Sequence, residues 1–314
     1  MLTQADLYAK LQRAQAAEAR RDLALELLAR SNSRQYLDEC LLILQSERVR
    51  RTLDESHRPA LRDKCLLLFA ESKRDKAGLL REALTRLLAH IEHPDDADIY
   101  RLGLETYHFQ PVDDVAQNLR AVALAGLTPI DPPLACLYAA RFLAEPQTSV
   151  FNCEPAMTAI DVLVASDQRL PIYQFLLRGG LEMAQTARGE LTGAALESLG
   201  DDFPLHLYEG LIERYQEIDQ PTATMGIINW IIKERQAPLY DRLQAVILAT
   251  RDADLRRYGL VMMAAARDDE LGERLLRLAR LARREDLPLF IEAVELCHLS
   301  ARDEALAQLR RRLD

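Results

Sequence analysis

In AGLLREALTRLLAHI, residues 77–91, the positions Leu80, Ala83, Leu84, Leu87, Leu88 and Ile91 recur three and four apart, which gathers them on one stripe of an α-helix. SRQYLDECLLIL repeats the pattern with Tyr36, Leu37, Cys40, Leu41 and Leu44. Sustained alternation with period two is hard to find. None of the 12 glycines follows Asn or Asp, so the strongest β-hairpin signal is missing. The pattern predicts an almost entirely helical chain.

Prolines punctuate that pattern. Proline suits the first turn of a helix, where its missing N–H has no partner to lose. Pro59, Pro94, Pro132, Pro171, Pro204 and Pro238 follow one another at 35, 38, 39, 33 and 34 residues, with Pro111, Pro155 and Pro221 between several of them. Acidic residues cluster nearby, as in HPDD, PVDD, IDPP and GDDFP, where carboxylates cap free N–H groups and complement the helix dipole. Four segments share a start: LPIYQFLLRGG at 170, FPLHLYEGLIERY at 203, APLYDRLQAVILA at 237 and LPLFIEAVELCHL at 287. Leu163, Leu196 and Trp230 stand eight residues before the first three of these prolines. The step from Pro238 to Pro288 is 50 residues, which an inserted helix around 251–266 would explain.

A period in the thirties is that of one helical hairpin per repeat. With the PAMTAIDVLVA type of first helix and proline-started second helices, the chain resembles HEAT-like, armadillo-type repeat proteins, most clearly over 151–300 and more loosely over 33–150. The resemblance implies an all-α fold, an α-α superhelix (a HEAT-like solenoid of stacked helical hairpins) whose second helices line a concave, partner-binding face. It implies one solenoid domain over 1–314, with an N-terminal cap at 1–32 and a C-terminal cap at 301–314, where the stripe is thin and the end, Arg310, Arg311 and Arg312, is polar.

Charge and cysteines narrow the setting. With 40 basic and 49 acidic residues the chain carries a net charge of −9, opposite to that of general nucleic-acid binders. Residues 251–314 hold 13 Arg against 13 acidic residues, so the excess lies in the first 250. Arg outnumbers Lys 35 to 5, which weakens any inference that one Arg was selected for its forked geometry. Cys40, Cys65, Cys136, Cys153 and Cys297 lack metal-ligand or redox-motif spacing and are expected to be reduced thiols, which fits a cytoplasmic protein. The start lacks a signal-peptide segment, and apolar runs of about seven residues fall short of the ~20 that span a bilayer, so no membrane association is expected.

Chemistry-bearing motifs are few. There is no Gly–Lys pair, no G-x-G-x-x-G and no G-x-S-x-G. His90 and His93 flank a helix end and are expected to cap rather than to bind metal; the pairs Asp113–Asp114, Asp201–Asp202 and the run Asp268–Asp269–Glu270 are expected to cap helix starts. No catalytic, cofactor or metal residue is assigned. Helical phase places Gln174, Arg178, Glu209, Glu213, Asp241, Gln244, Glu292 and Glu295 off the apolar stripe of the second helices. Lining a groove, they would favour a basic protein or peptide. In ELGERLLRLARLARRED, Arg274, Arg277, Arg280 and Arg284 fall within about 120°, a candidate strip for docking anions, or a solvated face paired with Glu270, Glu273 and Glu285. The sequence thus points to a non-enzymatic protein-binding scaffold or adaptor. The alternatives are a HEAT-like nucleic-acid-binding protein of the alkylated-DNA-recognising type, to which the acidic balance is opposed, and an enzyme on a helical scaffold resembling HEAT-like bilin lyases.

Overall fold

Nearly every proline stands where its fixed φ and missing donor cost nothing. Pro59, Pro171 and Pro288 are the second residues of their helices, Pro132 and Pro221 the first, and Pro155 and Pro204 the caps. Pro94 and Pro238 open 3-10 turns that run into the next helix. The computed structural model describes residues 2–111, 113–178, 189–217 and 220–313; Gly179 and Gly180, at the end of one proline-started segment, lie outside them. Among the described residues the fold is all-α, with one two-residue ladder, and it divides into two compact units, 1–168 and 169–314.

The first unit contains α1 (Gln4–Arg13), α2 (Ala17–Arg30), α3 (Arg34–Gln45), the short α4 (Glu47–Arg50), α5 (Arg58–Ala70), α6 (Leu79–Ile91), α7 (Ala97–Leu104), α8 (Gln117–Leu127), α9 (Pro132–Ala144) and α10 (Ala156–Ala165). Sequence neighbours pack as hairpins, and alternate helices stack: α3 on α6 and α6 on α8 and α10 through α8, with α2 on α5 and α5 on α7 alongside. The stripe read from the sequence is the core, with Leu80, Leu84, Leu87 and Leu88 buried.

Three buried aspartates tie these modules together, each held by arginine. Asp75 receives Arg81 Nε at 3.2 Å, Arg34 from α3 at 3.2 Å and the backbone N–H of Leu80 and Arg81. Asp96 receives Arg58 Nε at 3.0 Å and Arg62 at 2.9 Å, both from α5. Asp114 pairs with the fully buried Arg120, whose guanidinium also donates to Thr106 O at 2.9 Å and Gln147 O at 3.1 Å and lies 4.2 Å from the centre of the Tyr107 ring. The expected helix start at PVDD is instead a short antiparallel ladder, Phe109–Gln110 against Asp113–Asp114, in which Asp114 Oδ1 accepts from His108 N and Ala116 N. An ion pair with nowhere else to go holds Asp114 inside rather than at a solvent-facing cap.

The second unit contains α11 (Leu170–Arg178), α12 (Gly189–Glu197), α13 (Leu205–Gln216), α14 (Pro221–Lys233), α15 (Tyr240–Ala249), α16 (Ala253–Ala265), α17 (Asp269–Leu281), α18 (Leu287–Glu295) and α19 (Arg302–Leu313). The helices α12, α14, α16 and α18 stack in one row, starting at Gly189, Pro221, Ala253 and Leu287, steps of 32, 32 and 34 residues. Here the structure corrects the sequence reading. The helix at Leu287 belongs to the row of first helices, and α16 is a regular member of that row rather than an insertion. The 50-residue interval arises because the second helix α17 starts without proline; Asp268 is its cap, accepting from Leu271 N at 3.0 Å.

Closest approach in this unit is at two glycines. A Cβ on Gly226 of α14 would stand 2.3 Å from Gly193 O of α12, and one on Gly193 2.6 Å from Thr222 O. Hydrogen bonds run along the row in register: Asn229 Nδ2 donates to Glu197 at 3.1 Å, and Tyr258 Oη donates to Asn229 Oδ1 at 2.6 Å. An aromatic file, Tyr173, Phe203, Tyr208 and Trp230, has centroid steps of 4.8, 5.9 and 4.7 Å, and Trp230 Nε1 donates to Gly200 O at 2.7 Å, so the only tryptophan is core. In the shared motif, His206 is exposed and Tyr208, two residues on, takes the buried place that Tyr240 and Phe290 fill in theirs.

All five cysteines are free thiols, four of them buried; burial pushes Cys40 and Cys65 up to about 12, so neither forms a thiolate at neutral pH.

Two substitutions test these joints. Gly226→Val forces α12 and α14 apart and is expected to lower unfolding free energy in urea by about 1–3 kcal/mol, the usual cost of overpacking. Asp114→Ala leaves Arg120 buried and uncompensated and is expected to cost about 3–5 kcal/mol in the same measurement.

Candidate docking face

The second helices of the 169–314 unit present most of the residues that helical phase singled out. Gln174 and Arg178 are exposed on α11, Glu209 half-buried and Glu213 exposed on α13, Asp241 exposed and Gln244 half-buried on α15. Glu292 and Glu295 are not with them. They sit on α18, in the row of first helices, so the eight residues divide between two layers.

Long arginines bridge the second helices. Arg242 of α15 reaches Glu213 of α13 at 2.8 Å, and Arg274 of α17 pairs with Asp241 of α15 while holding Glu270 of its own helix at 2.8 Å. Tyr240 Oη donates to the cap carboxylate of Asp268 at 3.1 Å, linking α15 to the start of α17. The carboxylates of α18 are paired too, Glu292 with Arg257 of α16 at 2.6 Å and Glu295 with Arg310 of α19 at 2.7 Å. The row is therefore far less acidic than its carboxylates alone imply. The hydrogen bond from Arg274 holds the Asp241 carboxyl below the usual range. No charge-rich partner is needed to keep it ionised.

The four-arginine strip separates into unlike parts. Arg274 is largely covered, with 15% of its side chain exposed, near the Tyr240 ring. Arg284 is exposed but its guanidinium donates to Leu313 O at 3.2 Å. Arg277 and Arg280 are exposed and, among the described residues, carry no ion pair. The C-terminus of α17 is closed by Arg312 of α19, which donates to Ala279 O at 3.3 Å, Arg280 O at 3.0 Å and Ala282 O. A cation at the negative end of a helix dipole satisfies carbonyls that no later turn can reach.

Apolar side chains on this face were not singled out in the sequence. Leu177 on α11, Leu205 on α13, Leu248 on α15 and Leu281 on α17 are exposed, Leu281 to 82%. Each lies three, four or seven residues from a polar candidate on the same helix: Gln174 and Leu177, Leu205 and Glu209, Asp241 with Gln244 and Leu248, Arg277 and Leu281. The signal was present in the sequence as leucines out of phase with the core stripe. Two small clefts border the face, one of about 160 Å³ between Gln216, Thr224, Val246 and Arg251, the other of about 120 Å³ between Ala279, Gln308 and Arg312.

Elsewhere His93 caps the following 3-10 turn, Nδ1 accepting from Asp95 N at 3.2 Å, which leaves the proton on Nε2 to donate to Glu55 at 3.1 Å. Asp268 caps as expected, whereas Asp201 and Asp202 are exposed and α13 has no side-chain cap. Among the described residues no group of three or more His, Cys, Asp or Glu side chains could hold a metal ion, and no helix is long and apolar enough to cross a membrane.

Comparison with protein-family models, with characterised proteins and with solved structures finds no match.

Because Asp241 and Arg274 meet at the surface, their mutual stabilisation is expected to be small. A double-mutant cycle of Asp241→Ala and Arg274→Ala should give a coupling of about 0.2–1 kcal/mol in urea unfolding, falling further in about 1 M salt.

Proposed function

We propose that this chain is a non-enzymatic scaffold built of HEAT-like helical repeats, a superhelical solenoid that docks a protein segment along its second helices α11, α13, α15 and α17. The observation that carries the reading is the set of exposed leucines, Leu177, Leu205, Leu248 and Leu281, each beside a polar candidate on its own helix. Isolated exposed leucines are ordinary on any surface. A leucine on each of four second helices of one unit supplies spaced apolar anchors, with Gln174, Arg178, Glu209 and Gln244 as adaptable polar neighbours. Rigid helices hold these side chains in place before a partner arrives, so little ordering entropy is lost on binding. The arginine bridges bear on partner chemistry. A basic residue of the partner can replace Arg242 on Glu213 or Arg274 on Asp241, exchanging one exposed ion pair for another at little net cost.

Site-directed photocrosslinking tests the reading. A benzoylphenylalanine placed at Gln244 of the full chain should form a discrete adduct with another protein in cell extract. The adduct should be lost in the Leu205→Asp/Leu248→Asp variant while the circular dichroism of the variant stays unchanged. No adduct, or one indifferent to the two aspartates, would overturn it.

A further inference from the structure

A second feature stands apart from the docking face, in the 1–168 unit. There the 3-10 turn Ser72–Asp75 faces the strand Phe109–Gln110 across an open cleft of about 490 Å³ lined by Ser72, Lys73, Lys76, His108 and Gln110. The two walls are fixed to each other by Gln110 Nε2, which donates to Lys76 O at 3.1 Å.

The lining is rich in donors, and the local fold accounts for this. Lys73 lies within the 3-10 turn and Lys76 caps its end, and both line the cleft. His108, just before the strand, and Gln110, at its end, both line the cleft, and Phe109 between them does not. The nearby acids are committed elsewhere. Asp75 is buried beneath Arg81 and Arg34, Glu71 is paired with Arg74, and Asp114 is buried with Arg120. Among the described residues neither Lys73 nor Lys76 has an ion pair, whereas Arg74 between them is paired with Glu71. Asp113, paired across the ladder with Gln110, is exposed, and it is not among the lining residues. Two of the chain's five lysines thus line one cleft without a paired acid among the described residues, in a protein whose net charge is −9. Like charges three apart repel.

We propose that this cleft binds a phosphate monoester. Two ammonium groups, an imidazole and a hydroxyl approach from both walls, which suits a dianion with three oxygens pointing in different directions better than a planar carboxylate that one arginine fork could satisfy. The volume falls within the ~300–1,000 Å³ of small-molecule sites and leaves room for the organic part of the ester.

Calorimetry on the full chain tests this with inorganic phosphate and phosphoserine as probes and serine as control. Both phosphates should bind saturably and serine should not. The variant Lys73→Ala/Lys76→Ala should weaken binding at least about tenfold with an unchanged thermal midpoint, and Asp113→Asn should strengthen it. Phosphoserine should bind more tightly than phosphate, and the reverse order would overturn the assignment to an ester. Absence of saturable heat up to about 10 mM of either probe, or equal affinity in the double lysine variant, would overturn the proposal.

Discussion

A pair of antiparallel helices cannot cover its own apolar flanks. Each helix stripe faces its partner over part of its width, and the remainder must meet another pair or remain in water. Most of what is observed in the 169–314 unit follows from that constraint. Helices α12, α14, α16 and α18 stack in register because each buries what its predecessor leaves open, and the cadence of 32 to 34 residues is the length of chain needed to go out and back once. The tightness of stacking then selects the residues between. Where α12 and α14 touch, only glycine fits at Gly193 and Gly226. Where the second helices are bridged, the span is filled by arginine, the long side chain whose fork can close on a carboxylate of the neighbouring helix.

The 1–168 unit answers the same constraint with polar joints. Its modules are longer, interrupted by α4, several 3-10 turns and a short ladder, and a longer connection must cross the stack somewhere. At those crossings lie Asp75, Asp96 and Asp114. Buried carboxylates are expensive unless their charge is matched and their lone pairs are filled. Here each is met by at least one arginine, and Asp75 and Asp114 by backbone N–H groups as well. Such joints specify register more than they add stability, because a slipped module would strand a charge. That explains how a unit with a less regular period still packs in one way.

Much of the architecture was legible in the sequence. The apolar stripe of α6, the buried places of Leu163, Leu196 and Trp230, and the proline-marked starts other than that at Pro111 stand where spacing put them. What was not legible was whatever depended on a neighbour. Asp114 looks like any acid before a helix; only the position of Arg120, in the otherwise apolar run of α8, turns it inward. Proline marks the start of a helix but not the layer to which it belongs, so Leu287 was assigned to the second helices and Glu292 and Glu295 went with it. The capping role of Asp268 is legible from its acidic run, but without a proline nothing marks the helix it starts as the next beat of the repeat.

The candidate face shows the same division. Phase within one helix gives exposure reliably, and Gln174, Glu213 and Asp241 are indeed on the surface. Net charge on a face is a property of several helices, and the arginines that offset Glu213 and Asp241 come from the next second helix, two helices further along the chain. Counting carboxylates on single helices therefore overstates the field a partner would meet. Exposed pairs of this kind hold side chains in position at little energetic cost to break, so they suit a surface that must be ordered before binding and yield on contact. The leucines have no such alternative. They are exposed, and a second apolar surface brought against α11, α13, α15 and α17 would remove them from water. If the face docks a protein, its affinity resides in those leucines, and the paired charges serve to set the register of what lies on them.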